Sequence, residues 1–440
     1  MTQEMIAIFM FSSMMLMLFT GQRVFGAIGA IGAIASISLW GVGGSDIPFS
    51  SMMKLMKWYP LLTLPMFIFM GYVLSESKIA DDLYKMFHVW MGPVRGGLAI
   101  GTIGLMVLIS AMNGLSVAGM AIGATIALPE LLKRGYDKRM VTGVIQAGSS
   151  LGILVPPSVV LVLYAMIARQ PVGQLWLAGI FPGLMMAAMF MIYIYVRCRI
   201  QPELGPALPE ADRDVSRAEK FRLLRSGLLP LFIFAAMMVP FVNGWTSLVE
   251  SSAVGAATAF LAAVLKGRMT KSVFEVSVRQ TLAISCMFMW IILAALGFGA
   301  VFDGLGAVKA IDGLFTEQLG LNPWMILILM QLSFLIMGTF LDDTAMLVIV
   351  APLYVPLVDA LGFDLIWYGV LYTITTQIAY MTPPFGYNLF LMRAMAPPEI
   401  TLRDIYASIT PFVLVMLVAL ILVMVFPQIA MWFPNYVYGN

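Results

Sequence analysis

Charge is what this sequence has least of. Only 11% of its 440 residues are Asp, Glu, Lys or Arg, and 61% are hydrophobic, whereas about a quarter of a soluble globular chain is charged. So few charges cannot dress the surface of a water-soluble protein of this length. The chain is therefore expected to be an integral membrane protein. Histidine is almost absent: His88 stands alone, in the run 81–88 that reads as an amphipathic surface helix. Cys198 and Cys286 are the only cysteines and lack CxxC spacing; both read as small apolar fillers. Without a His or Cys cluster, zinc sites and His-based triads have no raw material. Neither an enzyme nor a cofactor is expected. No basic stripe exists to neutralise phosphates, and the net formal charge is only +2, so nucleic acid is not an expected partner.

What the sequence has in abundance is apolar length. Residues 5–20, 61–74, 98–112, 178–196 and 412–426 are apolar stretches close to the ~20 residues a helix needs to span a bilayer. With their broken relatives they make roughly a dozen passes or half-passes. The first has no basic residue before it, and Thr20-Gly21-Gln22 is a poor cleavage site, so it reads as a retained helix. Residues 197–225 are rich in Pro and charge and hold seven Lys/Arg, which makes them a cytoplasmic loop. Two apolar segments, 228–242 and 246–265, follow around the turn Asn243-Gly244-Trp245. They return the chain to a second basic patch of Lys266, Arg268, Lys271 and Arg279. An even number of crossings ends on the same side, so the two patches agree.

The sequence also repeats. Pro129 precedes the pair Pro156-Pro157 by 27 residues, and Pro356 precedes Pro383-Pro384 by the same 27, at an offset of 227 between the halves. Ser116 then falls opposite Asp343, Gly152 opposite Ala379, and Pro182 within two residues of matching Pro411. The loops that correspond have opposite character: 133–139 carries Lys133, Arg134, Lys138 and Arg139, whereas 359–364 carries two acids and no base. Equivalent loops on opposite faces define an inverted-topology repeat, a common plan of membrane transporters.

Each half holds two interruptions. Residues 148–158 (GSSLGILVPPS) and 375–385 (TTQIAYMTPPF) cannot continue a helix, because two prolines delete two amide donors. The carbonyls of Gly152 and Ile153, four residues before each proline, should lack partners, and unpaired carbonyls at membrane depth must face protein, water or a ligand. A bound Na⁺ answers that need; paired structural kinks are the plainer alternative. Upstream lie the polar segments 110–116 and 338–344, each flanked by apolar runs too short for full spans. They read as tips of re-entrant helical hairpins whose second arms start near Ser116 and Thr344, with positive ends toward an anion. Asp342 and Asp343 are adjacent acids far from either expected surface; one faces the site, or they only cap the following half-helix. Arg393 pairs with an acid or a substrate anion, or snorkels to an interface.

The runs IGATIALPELLKRGYDKRMVTGVIQAGSSLGILVPPS and TQIAYMTPPFGYNLF resemble the large membrane subunit of tripartite ATP-independent periplasmic (TRAP) transporters, of the ion transporter superfamily. The resemblance spans the whole chain. It implies an all-α inverted-repeat elevator with two re-entrant hairpins and two broken helices, in the bacterial inner membrane. It also implies sodium as coupling ion, uptake of a small organic anion, and two partners: a four-helix membrane subunit and a periplasmic substrate-binding protein. No four-helix extension precedes Met1, so the small subunit is expected as a separate chain. Carried over by resemblance, one sodium site uses Ser110, Asn113, Gly152, Val155 and Pro157; the other uses Gly338, Ala379, Thr382 and Phe385. Substrate is expected near Asn113, Ser116, Ser158, Asp342, Asp343, Thr344, Tyr387 and Arg393.

The chain departs from the family at the first tip, where SGSS is replaced by Asn113-Gly114-Leu115-Ser116; Leu115 removes a hydroxyl contact. Tyr380 and Tyr387 narrow the second motif and suit a substrate smaller than a sugar acid. The expected division is a scaffold of 1–94 and 226–322, moving parts of 95–196 and 323–411, the cytoplasmic loop 197–225 and a C-terminal helix over 412–440. A stand-alone sodium/dicarboxylate-type symporter is the alternative within transport; a channel is another.

Overall fold

A computed structural model describes residues 2–439 apart from 21, 42, 115, 208–215, 314–319, 339–342 and 384–385. The side chains of some helical residues also lie outside the described set, among them His88, Ser110, Asn113, Asp343, Thr344 and Tyr387. Every regular element among the described residues is helical. The first half runs α1 (Gln3–Phe19), α2 (Val24–Leu39), α3 (Asp46–Met56), α4 (Thr63–Glu76), α5 (Ile79–Met91), α6 (Gly97–Asn113), α7 (Ser116–Ile122), α8 (Leu128–Lys133), α9 (Lys138–Ser150), α10 (Val159–Ala168) and α11 (Val172–Ile200). The second runs α12 (Arg217–Val242), α13 (Leu248–Leu265), α14 (Lys271–Gly304), α15 (Ala307–Gly313), α16 (Pro323–Gly338), α17 (Asp343–Ala360), α18 (Leu365–Tyr380), α19 (Tyr387–Met395), α20 (Leu402–Val425) and α21 (Gln428–Tyr438). Among the described residues, α11, α13, α14 and α20 are long and apolar enough to cross a membrane.

The 227-residue correspondence is visible in the smallest details. Gly135 and Gly362 both take the left-handed conformation, φ 78° and 79°, which a side chain would resist. Two residues on, Asp137 accepts hydrogen bonds from the amides of Arg139 and Met140 at 3.0 Å, and Asp364 accepts from Ile366 and Trp367 at 2.8 Å. Each aspartate thus satisfies two orphan donors at the start of a helix. The helices that follow, α9 and α18, are counterparts.

The same offset reaches helices that the proline pattern did not reveal. Shifted by 227, α2 falls on α13 and α4 on the C-terminal half of α14. Packing obeys the exchange: α2 packs on α14 and α13 on α4; α1 on α15 and α12 on α5; α10 on α17 and α19 on α7; α11 on α18 and α20 on α9. Swapping both partners of each pair returns another observed pair, as a two-fold axis requires. Close approach depends on small residues: at Gly32 of α2 an added Cβ would stand 3.1 Å from the Phe298 backbone of α14.

The ends of the first repeat are fastened together. The Gly96 amide donates to the Gly205 carbonyl at 2.8 Å, and the Asp137 amide to Leu204 at 3.2 Å. Tyr136 is buried between them and accepts from the Leu98 amide at 3.3 Å; burial pushes its phenol above the usual range. Nearby, Asp404 at the start of α20 is held by Lys138 at 2.6 Å and Arg139 at 3.1 Å.

Several expected boundaries fall inside continuous helices. α11 runs through Pro182 to Ile200, α12 starts at Arg217, and α20 runs through Pro411. Prolines are tolerated in membrane helices when neighbours re-satisfy the freed carbonyls. The span 412–440 holds the end of α20 and the separate α21, parted near Pro427. Cys198 is buried as expected, whereas Cys286 is exposed on α14 and fills no core position.

Opposite facing of the two turns is tested after replacing Cys198 and Cys286 by serine. Asp359→Cys should react with a membrane-impermeant maleimide on intact cells, and Lys133→Cys should not. Both native side chains are exposed, so equal labelling would refute the inverted arrangement.

Candidate functional site

The first break lies where the proline pair put it. α9 ends at Ser150, a tight turn covers Leu151–Ile153, and α10 begins at Val159. Gly152, Val155, Pro157 and Ser158 are all buried. The Leu151 carbonyl accepts from the amides of both Leu154 and Val155, at 3.1 and 2.9 Å. The Ile153 carbonyl, expected to be free, is not: the Ser158 hydroxyl donates to it. The same oxygen caps α10 by accepting from the Leu161 amide at 3.2 Å. A serine that folds back onto its own turn supplies the donor that proline removed.

The tip of the α6–α7 pair rests on this break. Gly114 sits at φ 65°, and its carbonyl accepts from the Val159 amide at 3.2 Å. A Cβ here would stand 2.3 Å from the Pro157 carbonyl oxygen. Pro157 thus meets the residue that follows α6, whose last turn carries Ser110 and Asn113, while Gly152 and Val155 lie in the same buried break; the Ser110 and Asn113 side chains lie outside the described set.

The second break repeats the plan with different closures. After α18, the Met381 and Thr382 amides donate to the Ile378 and Ala379 carbonyls, each at 3.1 Å. The Thr382 hydroxyl donates to Ile378 at 2.7 Å, leaving its lone pairs to accept. Gly338, at the end of α16, meets Ala379: a Cβ on Gly338 would stand 2.5 Å from that of Ala379. Gly338, Ala379 and Thr382 are therefore brought together. Phe385 and Asp342 lie outside the described residues. Asp343 and Thr344 open α17, and Tyr387 opens α19, without described side chains. Arg393 is not brought to the tips: its guanidinium donates to the Ile400 carbonyl at 2.8 Å, at the far end of α19 from the break.

Two of the contacts that join the repeats lie at the breaks, and sequence reasoning missed both. The Ser116 hydroxyl donates to Asn388 Oδ1 at 3.3 Å, linking the start of α7 to the first turn of α19. The Gln377 carboxamide donates to the Ser150 carbonyl at 2.8 Å. Positions 150 and 377 are counterparts under the offset, so this bond lies on the axis. Testing buried polar residues against their counterparts would have found it. Gln331, in α16, bonds Thr375 of α18 in the same buried region.

Among the described residues the arrangement brings carbonyl and hydroxyl oxygens to two places related by the two-fold exchange. Among the described residues no cluster of three His, Cys, Asp or Glu could hold a metal. Such carbonyl and hydroxyl oxygens fit a weakly held monovalent cation better than a tightly bound divalent one. A cavity of about 440 Å³ lies elsewhere, at the seam of α10, α17 and α14, rimmed by Arg169, Asp303 and Asp359.

Gly114→Ala should lower the stability of the detergent-purified protein by about 2 kcal/mol or more, since it adds a Cβ at left-handed φ against a carbonyl. Gly26→Ala, on α2 with nothing within 4 Å, should instead stabilise by about 0.5–1 kcal/mol. Thermal unfolding of the two variants beside the parent reads both signs.

Similarity to known proteins follows the same geometry. Residues 11–429 match the family described as "Tripartite ATP-independent periplasmic transporter, DctM component". The chain is 32% identical over 381 residues to the C4-dicarboxylate TRAP transporter large permease protein DctM of Pseudomonas aeruginosa, covering 86% of this chain and 87% of that one. It is 27% identical over 395 residues to the ectoine TRAP transporter large permease protein TeaC of Halomonas elongata, covering 89% and 90%. Its fold is shared with the YdaH transporter of Alcanivorax borkumensis, at a TM-score of 0.65, 16% identity and coverage of 96% and 98%. A family match over nearly the whole length, on a helical frame whose halves exchange by a 227-residue shift, places this chain among the large permease subunits of the TRAP transporters.

Proposed function

We propose that this chain is the sodium-driven, substrate-moving subunit for uptake of a small carboxylate or sulfonate across the bacterial inner membrane. It works with a small four-helix membrane subunit and receives its substrate from a periplasmic binding protein. The observation that carries this reading is that each hairpin tip meets the break of its own repeat, Gly114 on Pro157 and Gly338 on Ala379. Backbone oxygens collected in this way at membrane depth suit a sodium ion. Ser110, Asn113, Gly152, Val155 and Pro157 hold one ion; Gly338, Ala379, Thr382 and Phe385 hold the other. Substrate lies between the tips, with Asp342, Asp343 and Thr344 on one side and Asn113, Ser116 and Ser158 on the other.

Energetics allow it. Two Na⁺ moving with one monoanion carry a net positive charge inward, worth about 2.3 kcal/mol at 100 mV. Tenfold gradients of two ions add about 2.8 kcal/mol. Together these sustain a substrate ratio in the thousands. In proteoliposomes holding both membrane subunits, with loaded binding protein outside, accumulation should require an inward Na⁺ gradient. Uptake unchanged when choline replaces Na⁺ would sink sodium coupling; uptake without the binding protein would favour the stand-alone symporter.

A break in the symmetry supports reading the motion as an elevator. α17 and α10 pack on α14, and a Cβ on Gly299 would stand 2.8 Å from the Pro352 Cβ. Their counterparts α7 and α19 are not packed on α4 to a comparable extent among the described residues. With turn 133–139 cytoplasmic, we read this arrangement as inward-facing, one of two states related by the two-fold exchange. The scaffold, α1–α5 and α12–α15, stays fixed while the rest slides. In the outward state Tyr72 and Thr125 should meet as Gly299 and Pro352 do here, because the pairs are 227 apart. In a cysteine-free background, Gly299→Cys/Pro352→Cys should cross-link readily and Tyr72→Cys/Thr125→Cys in a fraction of molecules. If the first pair forms and the second never does, the exchange is wrong.

A further inference from the structure

Asn388 is fully buried, and its carboxamide is only half used. Oδ1 accepts from Ser116 at 3.3 Å, while Nδ2 has no partner among the described residues. A buried donor without an acceptor is costly, and such a group in a native fold calls for an explanation. Other buried carboxamides with a spare atom differ. Gln146 and Gln377 have a spare acceptor, and Gln331 lies in the body of α16. Asn388 alone among them has a spare donor at a break.

The repeat makes the position more informative. The counterpart of Asn388 is Leu161, whose amide is capped by Ser158. In the first half, therefore, the helix leaving the break is closed by its own serine and carries an apolar residue. In the second half α19 starts after Gly386, with no side-chain cap, and puts an amide where the first half has leucine. An uncapped helix start beside a buried, unpaired N–H₂ favours an acceptor oxygen.

We propose that Asn388 contacts the substrate: Nδ2 donates to an oxygen of the transported carboxylate or sulfonate, and Oδ1 ties that contact to Ser116 at the first tip. This rests on the small-anion reading above. It assigns a residue absent from the set carried over by resemblance, and it explains why one side chain bridges the first hairpin and the second break.

The test uses the full chain, purified in Na⁺, with Cys198 and Cys286 replaced by serine. Asn388→Cys and Leu161→Cys are treated with two thiol reagents, one carrying a 2-sulfonatoethyl group and one a 2-trimethylammonioethyl group. The anionic reagent has the size and charge of the expected substrate and should travel its path. It should modify Asn388→Cys at least about tenfold faster than Leu161→Cys, since reaction requires access, and faster than the cationic reagent does. If Asn388→Cys fails to fold, Ser116→Cys, whose native hydroxyl touches Asn388, should show the same preference. No reaction at Asn388→Cys, or equal reaction at both positions, overturns the assignment, because the amide is then core packing or the core has loosened. Faster reaction with the cationic reagent also overturns it and moves Asn388 to the cation's side. Labelling needs no gradient, so a chain that labels as expected yet transports without Na⁺ keeps this contact and loses the coupling.

Discussion

A carbonyl or amide with no partner is expensive at membrane depth, and this fold is organised around where such groups are left and how they are closed. Two helices are interrupted by proline pairs, and at each interruption the backbone needs other partners. At the first, Ser158 serves its own turn and Gly114 comes down on Pro157 and Val159. At the second, Thr382 closes back on Ile378 and Gly338 abuts Ala379. The rest of the structure positions these meetings. α6 and α16 bring the tips, α9 and α18 bring the breaks, and the glycines permit approach that any side chain would prevent.

The repeat explains why there are two such places. A two-fold exchange produces each contact twice unless it lies on the axis, and Gln377 on Ser150 is the on-axis case. Divergence then acts on one copy at a time. Ser116 faces an aspartate counterpart, Asn388 a leucine, Ser158 a phenylalanine. The helical frame repeats in the two halves, whereas the polar residues at its breaks do not.

Much of this was legible in sequence because its cause is local. Proline pairs dictate breaks whatever surrounds them, and apolar length dictates a membrane. Less legible was anything set by tertiary partners. The Ile153 carbonyl looked free because its donor, Ser158, lies beyond the prolines and bends back. The full extents of α11, α12 and α20 were not legible, because apolar length marks only 178–196, 228–242 and 412–426, whereas the flanking residues continue in helical form to Ile200, from Arg217 and from Leu402. Asn388 looked like one more polar residue in a motif; only its burial and its spare hydrogens single it out. Asp342 and Phe385 lie outside the described residues.

The fastening of Gly96 to Gly205 and of Asp137 to Leu204 has a mechanical meaning. It makes the first repeat a loop pinched at its neck, so the chain enters and leaves through nearly the same point. At either glycine an added Cβ would stand under 3 Å from Cys198 Sγ. A substitution there would therefore loosen both ends of the repeat at once.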